Sequence, residues 1–255
     1  TKDSQNSLSR SYKRLVFDEI CANFLALSEN RKKIKKKKKN KLFTSSISNK
    51  ILEGLSFKLT KSQRNVLNEI NIDLKSSTRM FRVIQGDVGS GKTIVSLLSI
   101  ANVVESQYQC ALMAPTEILA KQHFDLAKKI FFNTKIKIEF LTGKTDIKNK
   151  KEIENNLKNG NLDIIIGTHS LFQKKISFKN LGLAIIDEQH KFGVKQRMMF
   201  AEKGGKNCDV LLMSATPIPR TMMLTIYGDM DVSRLTKKPK SRLPILTYSK
   251  PEKKN

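Results

Sequence analysis

The sequence has 255 residues, 39% of them hydrophobic, and its 48 Lys and Arg against 23 Asp and Glu leave a formal charge of +25. That length suits one substantial α/β domain with additions, or two small domains. The three widely spaced cysteines exclude a disulfide framework or a zinc site, and no apolar run approaches the ~20 residues of a membrane span.

The charge points to a polyanionic partner, nucleic acid or a membrane surface, although a lysine-, asparagine- and isoleucine-rich composition of the kind an A/T-rich genome produces accounts for part of it. The first residues, TKDSQNSLSR, lack the apolar stretch of a signal peptide. A reducing cytoplasm is therefore the expected setting. The chain opens on Thr1 rather than methionine, which reads as a piece of something longer.

Residues 11–30 read as an amphipathic packing helix, with Val16, Ile20, Phe24 and Leu27 at helical spacing. The run RKKIKKKKKNK follows at 31–41, with nine of its eleven positions basic. Such a block is either a solvated helix end or loop or a contact to phosphate backbone whose affinity falls with salt.

From about residue 50 short apolar runs alternate with helical stretches: MFRVIQ (80–85), CALMA (110–114), IKIEFL (136–141), LDIIIG (162–167), LAIID (183–187) and VLLMS (210–214). Runs without polar alternation suit strands buried on both faces. Residues 92–106 and 117–131 are long enough for crossover helices. The expected fold is a doubly wound, mostly parallel α/β sheet preceded by the amphipathic helix. Ligands of such sheets collect at the carboxyl ends of the strands.

Gly86, Asp87, Val88, Gly89, Ser90, Gly91, Lys92 and Thr93 fit G-x-x-x-x-G-K-[ST] between a strand and a helix. Glycines let backbone N–H groups close around an anion, and the following helix aims its positive end at the same point. Lys92 would reach the β- and γ-phosphates, and the Thr93 hydroxyl would ligate Mg²⁺. The apolar strand ending in Asp187-Glu188 supplies a second carboxylate site. Asp187 would hold Mg²⁺ and Glu188 would orient or deprotonate a water. An acid pair suits water attack better than phosphoryl transfer to a small molecule, so hydrolysis is expected.

DEQH (187–190) and SATPIPR (214–220) resemble superfamily 2 helicases. QGDVGSGKT, MAPTEILAKQH, IIIGTHSLFQ, IIDEQHKFGVKQR and MSATPIPRTMMLTIYGDMDVS narrow the resemblance to the RecG family, the branched-DNA helicases of bacteria, over about residues 51–235. The transcription-repair coupling factors share ATPIPR and an FGV stretch, but TEILAKQH and YGDMDVS look more like RecG. SRSYKRLVFDEICANFLALSENR (8–30) looks like the helix that joins the family's DNA-wedge domain to its motor.

The resemblance implies a RecA-like fold and further roles. Phe57 and Gln63 match an adenine-recognising element, though Phe57 also reads as a core aromatic and Gln63 as a helix-start residue. Gln189 and His190 would sense the γ-phosphate and pass its state to Ser214, Ala215 and Thr216, with Arg220 coupling to another domain or making a surface salt bridge. Pro115-Thr116, Thr142-Gly143 and Thr168-His169 would grip the DNA backbone, for which small hydroxyl and backbone donors are suited.

A helicase of this class closes two RecA-like lobes around ATP, and residues 221–255 are too few for a second lobe of on the order of 150 residues. The expected organisation is a linker helix and basic segment at 1–50, a first lobe at 51–235, and at 236–255 a basic tail that begins a missing second lobe. That lobe and the wedge domain would be partners in cis or as a separate chain, with forked or branched DNA as the third. The expectation is a lobe that binds ATP and Mg²⁺ without unwinding alone. A non-catalytic nucleotide- and DNA-binding remnant of a split gene is the alternative. A small-molecule kinase has no use for SATPIPR or TEILAKQH.

Overall fold

In a computed structural model of the chain, residues 10–34, 37–173, 175–187, 205–215 and 230–236 are described. Seven strands form one sheet in which every pair runs parallel: β1 (Phe81–Gly86), β2 (Gln109–Met113), β3 (Ile138–Leu141), β4 (Ile164–Gly167), β5 (Leu181–Ile186), β6 (Asp209–Ser214) and β7 (Asp231–Leu235). Their order across the sheet is β3-β4-β2-β5-β6-β1-β7. The fold is the expected doubly wound, RecA-like arrangement.

Among the described residues six α-helices accompany the sheet: α1 (Arg10–Ile34), α2 (Ser46–Gly54), α3 (Lys61–Lys75), α4 (Lys92–Glu105), α5 (Glu117–Ile130) and α6 (Ile147–Asn159). Alternate strand residues feed two cores. Ile84, Leu112, Ile166, Ile185 and Leu211 pack with α3, α4 and the inner side of α5. Val83, Met113, Ile165, Ile186 and Leu212 pack with Ile153 and Leu157 of α6 on the other face. Burial on both faces is why the runs of β2, β4, β5 and β6 show no polar alternation. Strand β3 departs from that expectation, since it lies at the sheet edge with Glu139 exposed and its run IKIEFL alternates. Helix α4 is buried from Ile94 to Val104, as its all-round apolar sequence requires.

Two departures from the sequence expectations stand out. None of the described side chains of α1 is buried, and Val16, Ile20 and Phe24 face outward. The basic run is also partly interior. Lys38 and Lys41 are buried, and both ammonium groups bond the buried Asp209 carboxylate at the start of β6, at 2.7 and 2.5 Å. Lys38 also donates to the Asp73 and Leu74 carbonyls that end α3. A compact charge on a flexible stem can thread to a carboxylate inside the fold, which no local pattern announces.

Candidate functional site

Strand β1 runs straight into the glycine-rich turn, and α4 starts on Gly91 at φ 90°, a left-handed conformation that an L side chain rarely adopts. Gly89 is also left-handed, at φ 76°. A Cβ on Gly91 would lie 2.1 Å from the Gln63 side chain, and one on Gly86 would lie 2.6 Å from Ser90 Oγ. The cradle therefore admits only glycine at these two places. Lys92 is buried and its ammonium donates to the carbonyls of Gly86 (2.6 Å) and Asp87 (3.1 Å). Ser90 Oγ is buried without a hydrogen-bond partner among the described residues, a polar atom facing into the loop's own fold. Thr93, half-buried, sits in the first turn of α4. Asp87, Val88 and Gly89 are exposed at the rim.

Strand β6 separates β1 from β5, so the glycine-rich turn and Asp187 lie two strand spacings apart, roughly 10 Å. Ser214 and Ala215, at the carboxyl end of β6, stand between them. Asp187 is buried at the end of β5, its N–H donating to the Met113 carbonyl at 2.8 Å. Among the described residues no three His, Cys, Asp or Glu cluster as an all-protein metal cage. One carboxylate and one hydroxyl beside a phosphate cradle suit Mg²⁺, which takes few protein ligands and completes its shell with phosphate oxygens and water. The residues present therefore fit a Mg²⁺–nucleotide.

Gln63 is a helix-start residue, as one of its two readings had it. Its side chain accepts from Thr60 N–H (2.8 Å) while its N–H donates to Thr60 Oγ1 (3.2 Å), a complete capping box on α3. The same amide donates to the Ser90 carbonyl at 2.8 Å. Phe57 is not a core aromatic: it is 46% exposed and lines a cleft of about 480 Å³ with Arg64 and Asn68.

The other half of the carboxyl edge carries the residues singled out for DNA. Pro115-Thr116 follow β2, Thr142-Gly143 follow β3 and Thr168-His169 follow β4. Thr116, Gly143 and His169 are exposed and Pro115 is half-buried. Thr142 and Thr168 are buried, with their hydroxyls turned inward to Glu117 (2.8 Å) and Ser170 (3.4 Å). These two threonines support the loops, and their neighbours face solvent. Glu188, Gln189, His190, Thr216 and Arg220 lie outside the described residues.

A larger cleft, about 720 Å³ and lined by Lys50, Tyr108, Asn133 and Lys179, opens at the amino ends of the strands, away from both groups. Among the described residues no helix is long and apolar enough to cross a membrane.

The profile of the DEAD/DEAH box helicases matches residues 57–224. The chain belongs to that family. Members of this family bind a nucleotide, typically with Mg²⁺. The chain is 45% identical over 245 residues to the ATP-dependent DNA helicase RecG of Aquifex aeolicus, covering 95% of this chain and 31% of the relative. It is 43% identical over 250 residues to RecG of Thermotoga maritima, covering 96% and 31%. A solved structure of RecG bound to a three-way DNA junction superposes with a TM-score of 0.80 at 40% identity, covering 91% of this chain and 31% of that one. The DEAD-box helicase Mss116 bound to ssRNA shares the fold, with a TM-score of 0.59 at 22% identity over 79% of this chain and 47% of that one. The chain spans about a third of the length of the RecG relatives it matches. It is a RecG-type helicase motor domain.

Two side chains of this helicase domain escape a residue-by-residue reading of the sequence. His123 Nε2 lies 2.7 Å from Asp187 Oδ2. It closes the TEILAKQH stretch, and its helical spacing with Ala120, Phe124 and Ala127 puts it on the buried side of α5. Glu117, in the first turn of α5, bonds Lys144 (2.7 Å) and the Thr142 hydroxyl, joining the segments that follow β2 and β3. The Lys144 ammonium first, and then Thr142, hold the Glu117 carboxyl below its ordinary range. Both groups of that ion pair are open to solvent, so its energetic weight is small.

Proposed function

We propose that this chain is the first motor lobe of an ATP-dependent DNA translocase of the RecG type. In the intact protein it would act in the cytoplasm on stalled forks and recombination junctions, in DNA repair and recombination. The observation that carries this reading is the division of one sheet edge. The nucleotide residues follow β1, β6 and β5, the DNA residues follow β2, β4 and β3, and β5 and β2 are hydrogen-bonded neighbours across the divide.

In this reading the N–H groups of residues 89–93 and the Lys92 ammonium bind the β- and γ-phosphates. Thr93 and Asp187 hold Mg²⁺, which supplies charge neutralisation at the phosphate oxygens. Glu188, next in the chain after Asp187, orients and deprotonates the attacking water. Phe57 stacks on adenine, and Gln63 holds the phosphate loop and reads the base. Gln189 and His190 relay the state of the γ-phosphate to Ser214, Ala215, Thr216 and Arg220. Pro115, Thr116, Gly143 and His169 meet the DNA backbone, with Thr142 and Thr168 holding their loops.

Residues 51–235 then form the lobe, 1–50 a linker helix and basic segment, and 236–255 the way into a second lobe. That second RecA-like lobe supplies an arginine finger, and a wedge domain reads the junction. Without the finger, hydrolysis falls by roughly 10³–10⁵. The 255-residue chain alone should bind ATP with Mg²⁺, turn it over weakly and separate no strands.

The test is nucleotide binding and ATP hydrolysis by this chain, with and without forked DNA, beside Lys92→Ala and Glu188→Gln. Binding abolished by Lys92→Ala, and residual turnover abolished by both substitutions, support the proposal. Unwinding of a fork by the chain alone, or binding indifferent to Lys92→Ala, would sink it.

A further inference from the structure

We infer that His123 is a positioning residue for the metal-holding carboxylate: it fixes Asp187 for Mg²⁺ and ties that carboxylate to helix α5. The inference rests on the proposed function, because it takes Asp187 as the Mg²⁺ residue.

Asp187 is gripped twice by one continuous stretch of chain. The carbonyl of Met113, last residue of β2, accepts its N–H at 2.8 Å, which fixes its backbone. His123, ten residues later in the same β2–α5 unit, bonds its side chain at 2.7 Å. Both side chains are buried, His123 and Asp187 each at 7% exposure, so water does not compete freely for either. A carboxylate oxygen only accepts, so Nε2 carries the hydrogen. The bond removes the carboxylate's freedom to rotate about Cβ–Cγ.

The choice of imidazole is informative. A lysine or arginine in this place would hold the carboxylate but bring a permanent charge that offsets the one a cation needs. An imidazole N–H is not an obligate cation. It can orient the acid and leave its charge for the metal, as outer-shell partners of ligating carboxylates do. The rest of the inner side of α5, Ala120, Phe124 and Ala127, is apolar packing, and His123 is the polar exception aimed at the strand end. Helix α5 also begins on Thr116, on the DNA half, and His123 lies roughly 10 Å further along the same rigid rod. One helix thus touches both halves of the edge.

The test follows Mg²⁺-dependent binding of a fluorescent ATP analogue to the 255-residue chain, to His123→Leu and to His123→Gln, whose amide N–H reaches about as far as Nε2. Binding in EDTA and thermal midpoints are recorded alongside. The expected result for His123→Leu is a rise of about 10- to 100-fold in the Mg²⁺ concentration that half-saturates the effect, with binding in EDTA unchanged. His123→Gln should recover most of the loss. An unchanged Mg²⁺ half-point in His123→Leu overturns the inference and leaves a packing histidine. Should His123→Leu fail to fold, His123→Asn, whose shorter amide falls short of Asp187, takes its place. Equal Mg²⁺ dependence in the Asn and Gln variants then overturns the inference. If the native chain shows no Mg²⁺-dependent nucleotide binding at all, the proposed function fails and the inference fails with it.

Discussion

The side-chain amide of Gln63 donates to the carbonyl of Ser90 across 27 residues of sequence, at 2.8 Å, while its oxygen caps helix α3. One side chain therefore both starts a helix and holds the phosphate loop in shape. Thr60→Ala removes one capping bond and leaves the link to Ser90, so it should cost roughly 1 kcal/mol of stability with nucleotide affinity retained. Gln63→Ala breaks the reciprocal capping bond from the Thr60 N–H and the link to Ser90, and should lose a comparable stability together with nucleotide affinity. Thermal melts and nucleotide titrations of the two variants check this. Equal affinity losses in both would show that the Ser90 bond does not organise the loop. Gly91→Ala should act like Gln63→Ala, since its methyl would land 2.1 Å from the same amide at φ +90°.

The two halves of the sheet edge can be damaged separately. A Cβ on Gly167 would lie 2.0 Å from the Leu141 carbonyl, which accepts from Thr168 N–H and from the Ser170 hydroxyl. Gly167→Ala should force β3 and β4 apart where the loops proposed to meet DNA leave them, costing roughly 1–3 kcal/mol. The expected outcome is weakened binding of forked DNA in a fluorescence-anisotropy titration, with nucleotide binding close to native. A variant that lost nucleotide binding to the same degree would show that the halves are not independent.

What the sequence made legible, and what it hid, divides along physical lines. The inner strands β1, β2, β4, β5 and β6 are buried on both faces and read as short, mainly apolar runs, with Arg82 and Gln85 as buried polar members of β1. Strand β7, DVSRL, lies at the sheet edge with partly exposed residues, and its pattern carries no such signal. The phosphate loop is legible because it is one contiguous motif. His123 and Asp187 are 64 residues apart, and only the fold brings them together. The same holds for Lys38 and Asp209, 171 residues apart, which turn part of a basic run into core. Pairings of this kind are set by topology, and a linear pattern holds no record of them.

The Asp209 carboxylate bonds two buried ammonium groups, and it also accepts from the N–H of Met80 at 2.7 Å. Burial pushes the Lys38 ammonium down from its ordinary value despite the attraction of Asp209. Asp209→Ala would strand both charges, and a loss of roughly 3–5 kcal/mol is expected. Lys38→Met with Lys41→Met and Asp209→Asn removes the charges together, and should lie close to the native stability or above it. Urea unfolding of the two variants decides the matter. A triple variant as unstable as Asp209→Ala would mean that the ion cluster gives net stability that apolar packing cannot replace.

Helix α2 takes its cap from another helix. Its own N-cap residue, Ser45, sits at φ 65° and makes no side-chain capping bond. Glu105, the last residue of α4, accepts instead from the Thr44 N–H and hydroxyl, both at 2.7 Å, and from the Ile47 N–H at 3.3 Å. Burial pushes the Glu105 carboxyl up, but these bonds and one from Ser46 outweigh it and hold the group below its ordinary value of 4.5. A carboxyl lowered on folding contributes stability that is fully present above its unfolded value and is lost as pH falls through its folded one. Native stability should therefore decline on acidification below about 4.5, with part of the decline due to this residue. Glu105→Gln should lose stability at neutral pH, within the roughly 0.5–2 kcal/mol of a missing helix cap, and should show a shallower acid decline. Thermal midpoints between pH 3 and 7 compare the two chains. Parallel curves would mean that Glu105 is held by no more than its ordinary solvation, and that α2 is anchored by Ile51 and its apolar neighbours alone.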